Sequence, residues 1–197
     1  MIEFYTLAPE RMNLNGDQAN VFVLRRRLEW LGIESKVVSI APEDFEAAAA
    51  RIIEAPESKF LMVGHGSKAA VTSFANHHEA IRQGVLDFAQ AGGVGLVVGS
   101  GYELVCPDFE RTPRLSDYAD LPAEDGLPRV FGYINTDTNL PAISRLGDSV
   151  IATMVHGPVL ARTPELADLL LTSLGVLVAP NANSVEADKY AEGARSH

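Results

Sequence analysis

The sequence predicts an α/β domain on a mostly parallel sheet with helices on both faces. Three observations carry that prediction. Short apolar runs (Ile2 to Leu7, Lys36 to Ile40, Phe60 to Val63 and Val94 to Val98) alternate with helical stretches. The runs lack strict in-out alternation, as strands covered on both faces do. Glycine turns, Gly64-His65-Gly66 and Gly99-Ser100-Gly101, close the third and fourth runs. Functional groups in such sheets gather at the carboxyl ends of the strands.

Ile2 to Leu7 reads as the first strand. Asp17 to Leu31 follows as a helix, because Val21, Leu24, Leu28 and Leu31 recur at helical spacing with Arg25, Arg26 and Glu29 off the stripe. The run Arg25-Arg26-Arg27 reads as a solvated helix face able to form salt bridges. Gly32 suits a helix stop. Pro42 to Ile53 is a second helix, with proline in its first turn and acidic residues after it. Ser67 to Ala75 and His78 to Ala91 are helical, and His77-His78 is read as solvated. Pro107 to Pro128, rich in Pro, Asp and Glu and weak in periodicity, reads as a long surface excursion. Arg129 to Ile134 and Ser149 to Met154 resume as strands. Pro164 to Leu174 closes the domain as a helix capped by Thr163. The division expected is one domain over residues 1–178 and a polar, frayed tail over 179–197.

Composition bounds the function. The 197 residues are 47% hydrophobic and 21% charged, enough for a sizeable core. The net charge of −10 argues against nucleic acid as a partner, because phosphate binding needs a basic face. Cys106 is the single cysteine, so neither a disulfide nor a cysteine-based zinc site is expected. No histidine spacing suggests a metal site, and no cofactor is called for. No apolar run has the length of a membrane span, and no secretion signal is visible, so a cytoplasmic location without membrane insertion is expected.

The chemistry concentrates in Leu96-Val97-Val98-Gly99-Ser100-Gly101-Tyr102-Glu103-Leu104. A buried strand, a tight glycine turn and a helix make the mount on which α/β enzymes place a nucleophile. Here the apex is Gly99, which has no side chain to attack with.

Three segments carry a resemblance. The first is Met12-Asn13-Leu14-Asn15-Gly16-Asp17-Gln18-Ala19-Asn20-Val21, continuing to Ile33. The second joins Val63-Gly64-His65-Gly66-Ser67 to Val98-Gly99-Ser100-Gly101-Tyr102-Glu103. The third is Met154-Val155-His156-Gly157-Pro158, continuing to Pro164. In this order they resemble the CobQ/GatD-like class I glutamine amidotransferases, of the glutaminase-subunit type of lipid II isoglutaminyl synthase. The resemblance implies a flavodoxin-like fold, glutamine as substrate and a Mur-ligase-like (MurT-type) synthetase as partner in cell-wall amidation. It also implies a cysteine nucleophile at the turn, a histidine that moves its proton, and backbone N–H groups of both glycine turns as the oxyanion hole.

Carried across, the histidine falls on His156 and the cysteine on Gly99. The oxyanion and substrate pocket falls on Gly66, Ser100, Tyr102 and Glu103. The family pattern Cys-x-Gly-Tyr-Gln reads here Gly99-Ser100-Gly101-Tyr102-Glu103. The pattern Gly-Gly-Gly-Gln-Asp reads Gly64-His65-Gly66-Ser67-Lys68, and Gly-Phe-Glu-Asn-His reads Gly132-Tyr133-Ile134-Asn135-Thr136. The stretch between turn and histidine is compressed relative to the family. His65 lies where it can face the pocket. Ser100, one residue past the apex, is expected to point its hydroxyl elsewhere, and Cys106 to pack as a small hydrophobe. The combined changes favour a catalytically degenerate glutaminase-type subunit. Two alternatives stay open: an active glutaminase in which Gly99 is an engineered change or another nucleophile serves, and a small-molecule sensor using the residual pocket.

Overall fold

A computed structural model describes residues 1–195 of the chain. The first half builds the parallel layer. β1 (Ile2–Leu7), β2 (Ser35–Ile40), β3 (Lys59–Val63) and β4 (Val94–Val98) alternate with α1 (Ala19–Trp30), α2 (Phe45–Ile53), α3 (Lys68–Thr72) and α4 (His78–Gln90). The second half adds α5 (Ser100–Val105), β5 (Arg111–Leu121), β6 (Val130–Thr138), β7 (Ile143–Leu146), β8 (Val150–Thr153) and β9 (Val155–His156). It closes with α6 (Val159–Arg162), α7 (Pro164–Ser173) and α8 (Ala182–Arg195).

The main sheet has six strands in the order β2-β1-β3-β4-β8-β7. All neighbours are parallel except β7, which runs antiparallel to β8 at the edge. The chain moves one way from β1 to β2 and then reverses through β3 and β4. Right-handed crossovers therefore place α1 on one face and α2 and α4 on the other. The packing agrees: α1 meets α6, α7 and α8, whereas α2 meets α4. All five β4 residues are buried, as are Phe60 to Val63 of β3, so the continuous apolar runs are the two-sided interior of the sheet. The point of reversal lies between β1 and β3, where open α/β sheets form their crevice.

Three segments differ from the sequence expectation. Pro107 to Pro128 is not a plain excursion, because β5 pairs with β6 and β6 with β9 in a second, antiparallel sheet. Both faces of β5 are largely exposed, which erases the alternation that marks a half-buried strand. The residues after Val178 are not frayed as expected: over the described residues they form α8, which buries Ser184 and Ala191. Ion pairs hold it, Arg27 with Asp188 and Arg195 with Glu165. Arg27 also pairs with Asp168 at 2.8 Å and is only 6% exposed, so the arginine run is not uniformly solvated. Thr163 precedes α7, but its hydroxyl accepts from the Phe131 N–H at 3.3 Å rather than capping the helix.

The loop after β1 and the start of α1 are fastened to the loop after β9. The Asn20 amide donates to the carbonyls of Asp17 (2.9 Å) and Gly157 (3.0 Å), and its Oδ1 accepts from the Leu160 N–H at 3.0 Å. Asn20 is fully buried, so no water replaces a lost partner. Asn20→Ala is expected to leave Leu160 N–H and Gly157 C=O unsatisfied and to lower unfolding stability by about 2–4 kcal/mol, read by urea denaturation.

Candidate active site at the glycine turns

β4 delivers the chain into Gly99 with φ 55° and ψ −116°, and α5 starts at once with Ser100. That conformation is costly for any residue with a Cβ and is the strained elbow of a strand-nucleophile-helix mount. The elbow geometry is kept although its apex carries no side chain. Gly101 is needed for a different reason: a Cβ there would lie 2.7 Å from Val63 Cγ1 and 2.8 Å from the Gly64 carbonyl oxygen. The two glycine turns are thus pressed together across β3 and β4.

The space beside Gly99 is filled by two imidazoles. A Cβ added at Gly99 would stand 2.5 Å from His65 Nδ1 and 2.6 Å from His156 Cε1. The two rings lie 4.5 Å apart, edge to face at 71°. A side chain at the apex would therefore touch the His156 ring, the placement a nucleophile and its base require. It would first have to displace His65 and shift the His156 ring, since both contacts are shorter than 3.0 Å.

Backbone contacts fix both rings. Ser100 N–H donates to His65 Nδ1 at 3.0 Å. A backbone N–H can only donate, so Nδ1 is the lone-pair nitrogen and Nε2 carries the proton. His156 Nε2 lies 3.0 Å from the Asn135 carbonyl oxygen, which can only accept. In neutral His156 this leaves Nδ1 as the acceptor, and Nδ1 is buried without a partner. Burial and the field of His156 lower the His65 pKa from 6.5 to about 4, so the ring filling the elbow is neutral at physiological pH.

Asp17 ties this arrangement to α1. Fully buried, it accepts from His65 N–H at 3.2 Å through Oδ2 and from Gly157 N–H at 3.0 Å through Oδ1. Burial pushes its carboxyl up against the opposing pull of those donors. One carboxylate thus spans the first glycine turn and the residue after His156. Asp17 and Asn20 were not singled out by sequence reasoning, although both lie in the first resembling segment. Buried polar residues at a helix start were the available signal.

The remaining site residues divide. Ser100 Oγ accepts from Gly66 N–H at 2.8 Å and donates to the Gly66 carbonyl at 3.0 Å. Its hydroxyl stitches the two turns together and occupies the Gly66 N–H. Glu103 is half-buried on the cleft wall, with its carboxyl pushed up by burial and held by Arg111 at 3.3 Å. Tyr102 is elsewhere: 2% exposed, it points its hydroxyl to Ser144 at 2.9 Å and does not line the cleft. Cys106 is half-buried, and burial raises its pKa and keeps it a thiol. His78 is not solvated as expected; its Nε2 meets the Val71 carbonyl at 2.9 Å and its ring packs on Phe74. The cleft, about 870 Å³, runs from His65, Gly66 and Ser100 outward between α3 and β6. Among the described residues no group of three or more His, Cys, Asp or Glu is placed to hold a metal ion, and no helix is long and apolar enough to cross a membrane.

No family model and no curated protein matches the chain by sequence. Among solved structures it is similar to the glutaminase domain of CTPS from Trypanosoma brucei with bound acivicin. That likeness covers 91% of this chain and 97% of the other at a TM-score of 0.52 and 8% identity. The likeness is one of fold: the mostly parallel α/β sheet with helices on both faces is shared with that glutaminase domain.

The neutral His65 has a pH signature. The unfolded chain takes up the proton near 6.5 and the folded chain only near 4, so the contribution of this ring to stability falls as pH drops through that window. His65→Gln is expected to flatten the loss of stability between pH 6.5 and about 4 relative to the parent protein, measured by urea melts of both.

Proposed function

We propose that this protein is a glutamine amidotransferase-type subunit that has given up glutamine hydrolysis and keeps the fold for binding. One observation carries the reading: the place of the nucleophile's side chain is taken by the His65 ring, held by Ser100 N–H. In an acyl-transfer site that N–H would face the developing oxyanion. Here a ring nitrogen already accepts from it, the Gly66 N–H is engaged by Ser100 Oγ, and the apex at Gly99 carries no thiol to form an acyl intermediate. Two changes coincide at the family's positions: a glycine where the cysteine stands, and a histidine where the first turn carries its middle glycine. Together they fill the space that either change alone would leave open or crowded.

The finer reading names the partner. The resemblance of the Met12–Ile33 segment, of Val63–Ser67 with Val98–Glu103, and of the Met154–Pro164 segment supports a role beside a Mur-ligase-like synthetase in lipid II amidation. In that arrangement the chain acts as a retained structural or regulatory subunit. Co-elution of the purified chain with such a synthetase on size-exclusion chromatography is expected. Separate elution at micromolar concentrations of both would remove the partner from the reading and leave the fold assignment intact.

Hydrolysis is the direct test of lost chemistry. Losing the nucleophile of such a site costs on the order of 10⁶ in turnover, so ammonia release from glutamine should be undetectable. Turnover at ordinary enzyme rates, on the order of 1 s⁻¹ or faster, would refute the proposal. Gly99→Cys alone is expected to remain inactive, because its Cβ meets His65. His65→Gly combined with Gly99→Cys should free the Ser100 N–H and remove the His65 overlap, leaving only the His156 ring to shift. The introduced thiol should then react with iodoacetamide at least tenfold faster in the double variant than in Gly99→Cys. Equal rates would show that His65 does not obstruct the elbow.

A further inference from the structure

The cleft beyond the closed elbow has walls of its own, and their charge runs against the rest of the molecule. The chain carries a net charge of −10. The cleft is lined by Lys68, Arg82, Arg111 and Arg114 against Glu79, Glu103 and Asp137. These cations are not equivalent. Arg82 is bound twice by Glu79, at 3.0 and 2.6 Å. Arg111 is held between Glu103 and Asp137. Arg114 donates its Nε–H to Asn135 Oδ1 at 2.8 Å, and its two terminal nitrogens have no carboxylate partner among the described residues. Lys68 is exposed and likewise has no carboxylate partner among the described residues.

The cleft floor adds a third donor. With Nδ1 tied to Ser100 N–H, His65 carries its proton on Nε2, and His65 lines the cleft. Lys68 on α3, Arg114 on β5 and His65 in the turn before α3 are thus three donors with no acceptor among their free groups, around one space. Neutral glutamine, with its own ammonium group, gains little from such walls. An acceptor-only ligand gains from each of them, because charge-assisted hydrogen bonds to a planar guanidinium and an ammonium are the strong ones.

We infer that this cleft is a binding site for a small dianion, a phosphate monoester or a dicarboxylate, held by Lys68, Arg114 and the imidazole N–H of His65. The inference rests on the closed elbow described under the proposed function and names the ligand class of that same site. Binding and hydrolysis are read separately. Ammonia release together with anion binding would retire the loss of catalysis and leave the anion site, and silence in both assays would do the reverse.

The test is isothermal titration calorimetry of the full chain at low ionic strength with inorganic phosphate, succinate and glutamine as probes. Phosphate or succinate should saturate one site per chain, and the tighter of the two assigns the phosphoryl or the dicarboxylate source. Lys68→Ala and Arg114→Ala should each weaken that binding by about tenfold. Both side chains are exposed, so the fold is expected to survive. Arg26→Ala, on α1 in a separate groove, should leave it unchanged. No saturable binding of either anion, tighter binding of glutamine than of both, or equal weakening by Arg26→Ala and Arg114→Ala would each overturn the inference.

Discussion

The hydrogen bond from Ser100 N–H to His65 Nδ1 is the contact around which the site is organised. It exists because two conditions meet. Gly99 keeps the positive φ of a nucleophile elbow, which turns the next N–H toward the first glycine turn. Gly99 also lacks a Cβ, which leaves the ring of His65 room to enter. Restoring a side chain at Gly99 or withdrawing the ring of His65 breaks the arrangement. The imidazole is neutral, so it sits part-buried at the cleft floor without the desolvation cost of a charge. The same bond fixes which ring nitrogen bears the proton, and so what the cleft floor offers a ligand.

The fold explains how distant parts of the chain share this point. The sheet reverses direction between β1 and β3, and the loops after β1, β3, β4 and β9 converge there. Asp17 and Asn20, at the entrance to α1, hold the segment after His156 through three hydrogen bonds to Gly157 and Leu160, and Asp17 also accepts from His65 N–H. A carboxylate and an amide in a dry interior keep such positions only when each polar atom is satisfied. They make the site rigid whether or not chemistry occurs in it. The contacts that position His156 are also those that stabilise the fold.

The parts legible in the sequence follow from burial. Phe60–Val63 of β3 and Val94–Val98 are covered on both faces, so they read as unbroken apolar runs, and with the mainly apolar Ile2–Leu7 beside them the parallel sheet follows. The elbow was legible because glycine spacing records backbone conformation. β5 was not, because a strand exposed on both faces carries no periodic signal, and its partner β6 is recognisable only through the buried Val130, Gly132 and Ile134. α8 was missed because it docks mainly through ion pairs and small buried residues rather than an apolar stripe. In the site, Gly99, His156 and Ser100 were readable by position. The role of His65 was not, because the direction of a ring in a turn depends on what the neighbouring turn leaves open. Tyr102 shows the converse, since a matching position in the sequence is spent on the core.

The central claim is that a neutral imidazole occupies the elbow and accepts the Ser100 N–H. Long-range ¹H–¹⁵N correlation spectra of the histidine rings test it most directly at neutral pH. The account predicts that His65 shows the Nε2–H tautomer, with its unprotonated Nδ1 coupled through the hydrogen bond to Ser100 N–H. A His65 ring protonated on Nδ1, or exchanging between tautomers beside a rapidly exchanging Ser100 N–H, would contradict it and would return the elbow to an open, substrate-accessible state.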